Sequence, residues 1–331
     1  MKKLLSLLVV LLLVSAAGLA WWANQPLATT AYEFQIKPGS SLRSSAQQIA
    51  AAGVPLQPLL FELLARSRGM GNKLKAGAFE AQAGITPSGL LDKIVRGEFS
   101  QFNFIILEGW NFRQLRQAIW QNPYLQHDTA NLSEQEILSP LTSDFTRAEG
   151  LFFPDTYLLP KGSSDRDVYK QAFMQLQQHL QTVWDQRPVG VTPLKTPYEA
   201  LILASLIEKE TGQKADRRMI AGVFVNRLKK GMLLQTDPTI IYGMGERYEG
   251  KIHKQDLQSD NAYNTYTRSG LPPTPIAMPG MESLLAALNP APTDALYFVA
   301  RGDGSSQFSA TLDDHNHAVH HFVVKKIHKP K

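Results

Sequence analysis

Hydrophobic and polar positions divide the chain into stretches of different period. Residues 4–23 carry no charge and nothing more polar than Ser6 and Ser15. Such a run predicts one continuous helix, and at 1.5 Å per residue it spans about 30 Å, the thickness of a bilayer core. Lys2 and Lys3 precede the run, and Trp21 and Trp22 close it with the aromatic flank of a membrane span. Ser15-Ala16-Ala17-Gly18 also resembles a signal-peptide cleavage region, but the length and the tryptophan pair favour a retained anchor. The lysines then stay cytoplasmic, and everything after Asn24 lies on the outer side of the membrane.

After a short stalk, residues 33–37 alternate as a strand does, and Pro38-Gly39 makes a turn. A helix over 41–52 has Leu42, Ala46 and Ile49 on one face. A helix over 59–66, a strand over 75–81 and a helix over 89–96 complete a small α+β module. Beyond it the pattern predicts a strand over 102–107, helices over 112–120 and from Ser133 to Ile137, and a long helix from Ser163 to Trp184. Residues 147–157, RAEGLFFPDTY, are dense in aromatics and read as core.

The most informative stretch is 196–242. Thr196-Pro197-Tyr198-Glu199 supplies a capping threonine, a helix-starting proline and a glutamate three residues after the cap. An apolar helix follows, with Gly212 placed to end it. Glu208 and Glu210 close the helix and point about 200° apart, so the period admits one of them to the interior. Glu210 continues the stripe of Leu203, Leu206 and Ile207, whereas Glu208 follows the smaller Ala204 and Ser205. Desolvation and the negative end of the helix dipole would raise the Glu210 pKa toward that of a general acid. In the competing reading both glutamates are solvated beside Lys209 and Lys214.

Asp216 is placed to cap a second helix, carrying Ile220, Val223, Phe224, Arg227 and Leu228 and ending at Gly231. Asp237 is the natural second carboxylate if glycosidase chemistry needs two, although Pro238 beside it also fits a turn. Residues 245–279 are long and non-periodic, and their tyrosines, asparagines and prolines read as an ordered binding wall. A helix over 282–288, a strand over 296–300, a hairpin return over 307–311 and a final helix over 314–326 follow.

Composition narrows the chemistry. The 331 residues leave room for about two domains after the anchor. The formal charge of +5 suits an anionic partner, but no basic run has the aromatic interleaving of a nucleic-acid track. With no cysteine, thiol nucleophiles, disulfides and cysteine-ligated metals are excluded. No phosphate or dinucleotide loop and no nucleophile elbow is present. His315, His317, His320 and His321 lack the glutamate of a zinc-protease signature and read as no metal site. No cofactor is expected.

Taken in order, FQIKPGSSL, LKAGAFE, EGLFFPDTY, ASLIEKET, VFVNRLKKGMLLQTDPTIIYGMG, AYNTYTRSGLPPTPIAMPG and the closing HNHAV closely resemble the endolytic murein transglycosylases of the MltG/YceG-like family. The resemblance covers nearly the whole chain from Glu33 onward. It implies an α+β protein: an anchor and stalk over 1–31, a LysM-like module over 32–100, and a catalytic domain over 101–331 in which 101–146 forms a connecting subdomain. It implies a bacterial inner-membrane lyase, with its domains in the periplasm, that cuts the bond between N-acetylmuramic acid and N-acetylglucosamine within nascent peptidoglycan. The cut leaves 1,6-anhydro ends and terminates glycan elongation beside the peptidoglycan synthases. The resemblance places the catalytic glutamate at Glu210, with Glu208 as runner-up. Gln235, Asp237, Tyr263, Asn264 and Tyr266 become groove residues, and Pro272 and Pro273 shape its wall. A muramidase-type hydrolase and a non-catalytic glycan-binding scaffold are the alternatives.

Overall fold

In the computed structural model, which describes residues 2–324, the apolar N-terminal run is a single helix, α1 (Lys2–Ala23). Its side chains from Leu4 to Val14 are exposed, as on a helix made for a non-aqueous surround. Among the described residues it is the one helix long and apolar enough to cross a membrane, a property an anchor shares with a signal sequence.

The chain divides into two compact units. The first takes the residues up to 103 together with 123–126 and 158–163; the second takes the rest. Unit one contains β1 (Tyr32–Ile36), α2 (Leu42–Ala51), α3 (Pro58–Ser67), β2 (Gly77–Ala81) and α4 (Pro87–Arg96). β1 and β2 pair antiparallel with Phe34 opposite Phe79, and the two rings stack at 5.6 Å. Ile49, Phe61, Leu90 and Ile94 close the core over them, and Leu19, Trp22 and Ala23 at the end of α1 pack into the same cluster. Ser41 and Thr86 cap α2 and α4 with their side chains, as their residue types favour.

β3 (Gln101–Ile105) pairs with β4 (Thr156–Pro160). β4 goes unpredicted because Pro160 and the exposed Leu158 obscure its alternation; Tyr157 and Leu159 are the buried members. Between them lie α5 (Phe112–Gln121) and α6 (Glu134–Leu138), each opened by a reciprocal capping box, Asn111 with Gln114 and Ser133 with Glu136. Then follow α7 (Asp165–Asp185), α8 (Pro197–Glu210), α9 (Lys214–Lys229), α10 (Asp237–Met244), α11 (Lys254–Gln258), α12 (Met281–Leu288), the hairpin β5 (Tyr297–Ala300) with β6 (Ser306–Ser309), and α13 (Leu312–Val319). A turn of π-helix over His320–Val324 continues α13; the far end of the predicted last helix, 325–326, lies outside the described residues. The molecule is thus a mixed α+β protein whose sheets, among the described residues, are all two-stranded.

α8 is the centre of unit two, with α7, α9, α10 and α12 packed around it. Every residue from Ala200 to Ile207 is buried, so the helix has no solvent face over that length. The expectation that only one of its terminal glutamates turns inward therefore fails. The small face does not point to water: Ser205 Oγ accepts a hydrogen bond from the Ile276 backbone at 3.0 Å, and the missing bulk lets that segment approach.

Three local expectations are corrected. Thr196 caps α8 through the Glu199 amide, but the Glu199 carboxylate accepts from Lys195 and so closes no box on the cap residue itself. α8 ends on an extended Thr211, and Gly212 is not left-handed. Asp216 lies inside the first turn of α9, where its carboxylate accepts from the Ser306 amide and ties the helix to β6; Gln213 is the cap residue.

Candidate active site

Glu208 and Glu210 are two residues apart and meet different chemistry. Glu208 Oε1 pairs with Arg217 at 3.2 Å, both side chains being 7% exposed. Its Oε2 accepts from the Gly280 amide at 3.0 Å and from Ser283 Oγ at 2.7 Å. A carboxylate is well placed there, because those donors belong to the first turn of α12. A Cβ on Gly280 would displace the half-exposed Glu108 side chain, whose carboxyl lies 3.9 Å from Arg217. Glu208 thus joins α8, α9 and α12 as a fully bonded anion.

Glu210 has no cation partner among the described residues. Its Oε2 accepts from Thr236 Oγ1 at 2.7 Å. Burial pushes its pKa up, the Thr236 hydrogen bond opposes this, and the neighbouring Asp237 pushes in the same direction as burial. Asp237 opens α10, where a carboxylate complements the helix dipole, and its Oδ1 accepts from the Tyr266 hydroxyl. Burial and that carboxylate raise the Tyr266 pKa, so the phenol stays a donor.

The loop before α10 is held from below by Arg227. Although buried, it has no ion pair among the described residues; it donates to the carbonyls of Leu296, Leu233 and Leu234 and to Gln235 Oε1. Burial lowers its pKa. Gln235 has φ +51°, the left-handed conformation that costs a non-glycine residue about 1–2 kcal/mol. Held by Arg227 and by its own amide bonded to Thr265 O, this residue turns the chain so that Thr236 reaches Glu210. Strain of this kind concentrates at functional sites.

Beside α10 runs an open cleft of about 900 Å³. Lys209, Pro238, Tyr242, Tyr263, Arg147 and Glu149 are among its lining residues; Glu210 and Asp237 are the chain neighbours of Lys209 and Pro238 but do not themselves line it. Tyr263 meets Tyr242 edge-on at 4.7 Å and bonds Thr274 through its hydroxyl. Glu149 is 4% exposed and receives hydrogen bonds from the Phe112 amide and the Tyr242 hydroxyl, yet burial prevails and lifts its pKa to about 7. In the sequence this acid stands inside an aromatic run that reads as core; the one signal was a glutamate among otherwise apolar neighbours.

The other expected residues separate. Gln235, Asp237 and Tyr266 gather around Glu210 through Thr236, while Tyr263 faces the cleft. Asn264 is fully buried, its amide donating to the carbonyls of Asp256, Leu257 and Ser259 and its oxygen accepting from Tyr266 N, so it folds the loop that carries the tyrosines. Pro272 lines a different hollow with Glu199 and Ile202, about 12–16 Å along α8 from Glu210 by helical rise. Pro273 is exposed.

Residues 34–321 match the YceG-like family. A Bacillus subtilis (strain 168) protein named endolytic murein transglycosylase is 32% identical over 318 residues, covering 91% of this chain and 87% of the relative. A Streptococcus pneumoniae serotype 2 protein of the same name is 25% identical over 328 residues, covering 88% of this chain and 58% of that longer relative. The crystal structure of a yceG-like protein from Listeria monocytogenes has the same fold, with a TM-score of 0.54 and 28% identity over 88% of this chain and 100% of that one.

Proposed function

This chain belongs to the YceG-like family, and on that premise we propose that it is a lytic transglycosylase that cleaves peptidoglycan strands internally, with Glu210 as its single acid–base residue. The contrast between the two glutamates carries this reading. Glu208 is paired with Arg217 and saturated with donors, whereas Glu210 is half-buried beside a second carboxylate with one neutral partner, the setting that favours a protonated carboxyl.

Glu210 first protonates the oxygen between N-acetylmuramic acid and N-acetylglucosamine, and the aglycone departs. The carboxylate then takes the proton of the muramyl C6 hydroxyl, whose oxygen closes onto the anomeric carbon to form the 1,6-anhydro ring. Protons balance within the substrate and Glu210, so no water is consumed. Thr236 holds one carboxyl oxygen and leaves Oε1 for the substrate. Asp237, tethered by Tyr266, holds the Glu210 pKa up without serving as nucleophile. Gln235 and Tyr263 extend the groove.

α1 retains the enzyme in the cytoplasmic membrane with its two units on the outer side, residues 32–100 serve as a LysM-like glycan-binding module, and cutting nascent strands ends their elongation by the synthases. Product analysis on purified strands is the test. Anhydro-muramyl ends are expected; reducing muramic ends would replace this reading with hydrolysis assisted by Asp237.

A further inference from the structure

α5 carries one exposed face from the cleft to a second cavity. Its first turn lines the 900 Å³ cleft, and Arg113, Arg116, Gln117 and Trp120 line a separate pocket of about 380 Å³. Arg113 belongs to both. Positions 113, 116 or 117, and 120 follow one helical stripe, about 10 Å long at 1.5 Å per residue.

The second pocket has two buried polar atoms with no protein partner, Asp165 Oδ1 and His127 Nδ1, and both residues line it. Asp165 is 1% exposed, and its other oxygen is fixed by the Thr129 amide and hydroxyl at 3.1 and 2.6 Å. Leaving a buried polar atom unpaired costs about 1–3 kcal/mol, so a ligand that supplies the missing bonds is favoured. At the mouth, Trp120 is 62% exposed with one side against the His127 ring at 5.2 Å. Trp120 therefore presents a broad apolar surface that nothing in the fold requires.

Charge narrows the occupant. A cation meets Arg116, whose guanidinium also donates to the carbonyls of Ala130 and Leu132, and Arg113, which pairs with the exposed Glu246 at 2.9 Å; an anion meets Asp165. A neutral ligand with an apolar face and a rim of hydroxyl and amide groups satisfies the indole, the orphaned carboxylate oxygen and the Arg and Gln donors together. That description is a saccharide ring. We propose that this pocket is a distal saccharide subsite that holds the strand continuing from the cleft along α5; that the strand is peptidoglycan rests on the function proposed above.

The test uses the full chain in detergent micelles, labelled with 5-fluorotryptophan, its Trp120 resonance assigned with Trp120→Phe. Titration with N-acetylglucosamine tetrasaccharide is expected to shift that resonance saturably, in the wild type and in Glu210→Gln alike. Trp120→Ala is expected to raise KM for long strands about fivefold, as loss of one stacking contact implies, with kcat and the cleavage of short oligomers unchanged. A resonance that stays still at high tetrasaccharide, or a KM change equal for long and short substrates, overturns the subsite. The fluorine arm reads binding without catalysis, so a failed transglycosylase assignment and a failed subsite give different results.

Discussion

Exchanging Glu208 or Glu210 for glutamine tests two different kinds of interaction. Glu210→Gln removes a proton that no neighbouring group can supply, because Thr236 is a neutral donor and Asp237 is committed to Tyr266. We expect glycan cleavage to fall by a hundredfold or more, roughly the span of general acid catalysis, with the melting temperature retained. Glu208→Gln breaks a buried ion pair and leaves Arg217 with only the half-exposed Glu108 carboxylate 3.9 Å away, at a cost of about 3 kcal/mol in stability. Urea unfolding of the two variants beside their product yields separates the roles; a fully stable but inactive Glu208→Gln would reverse the assignment. Because Glu210 acts protonated in the first step, activity is expected to decline as pH rises through its elevated pKa, and a rate profile checks this. Glu149 adds a dependence of stability on pH. Its pKa rises from 4.5 unfolded to about 7 folded, so the folded state binds the proton more tightly. The stability this contributes is complete below about 4.5 and lost as pH rises through about 7, a swing of roughly 3 kcal/mol. Glu149→Gln should remove that swing, so that the variant gains on the wild type between pH 5 and 8.

The segment between α9 and α10 is shaped by a cation used as a hydrogen-bond hub. Arg227 reaches the carbonyls of Leu233, Leu234 and Leu296, joining the end of α9 to the loop and to the approach of β5. Arg227→Met keeps apolar bulk but strands those carbonyls, and is expected to cost roughly 3 kcal/mol, with a drop in kcat/KM as Thr236 loses its aim at Glu210. Equal stability by urea unfolding would show that the loop does not depend on this hub. Close packing supports the same region: a Cβ on Gly222 of α9 would meet the Ala291 carbonyl at 2.8 Å, so the helix and the segment before β5 touch through backbone.

For the protein as a whole, α1 is the feature with the plainest consequence. Its outer residues are apolar and exposed, but Leu19, Trp22 and Ala23 belong to the core of unit one. A deletion that spares that core therefore ends at Gly18. Removal of residues 2–18 is expected to move the protein from the membrane to the soluble fraction with its fold intact, as fractionation and circular dichroism would read. If α1 were a cleaved signal, the full chain would itself appear soluble after export, and the anchor reading would fall.

Local chemistry wrote much of this structure in advance. The caps at Ser41, Thr86, Ser133, Ser164 and Thr196 needed only residue type and position, because each satisfies backbone amides within its own first turn. The single apolar helix α1 followed from an uncharged run of bilayer length, and the inward turn of Glu210 from its place behind Leu203, Leu206 and Ile207. Helical period, however, gives a side chain's direction about its own axis and says nothing of what waits across the gap. Glu208 and Glu210 both turn inward; Arg217 and the start of α12 take up one carboxyl, while burial and the nearby Asp237 raise the pKa of the other against the opposing hydrogen bond of Thr236. The same limit hid Glu149, whose Phe112 partner lies 37 residues away, and Tyr242, 93 residues away. It also hid the backbone carbonyls that hold the Asn264 amide and the place of Pro272 in a hollow with Glu199 and Ile202 of α8. Partners brought together across such separations depend on how the elements pack, and a carboxyl's protonation follows from those partners rather than from its own sequence neighbours.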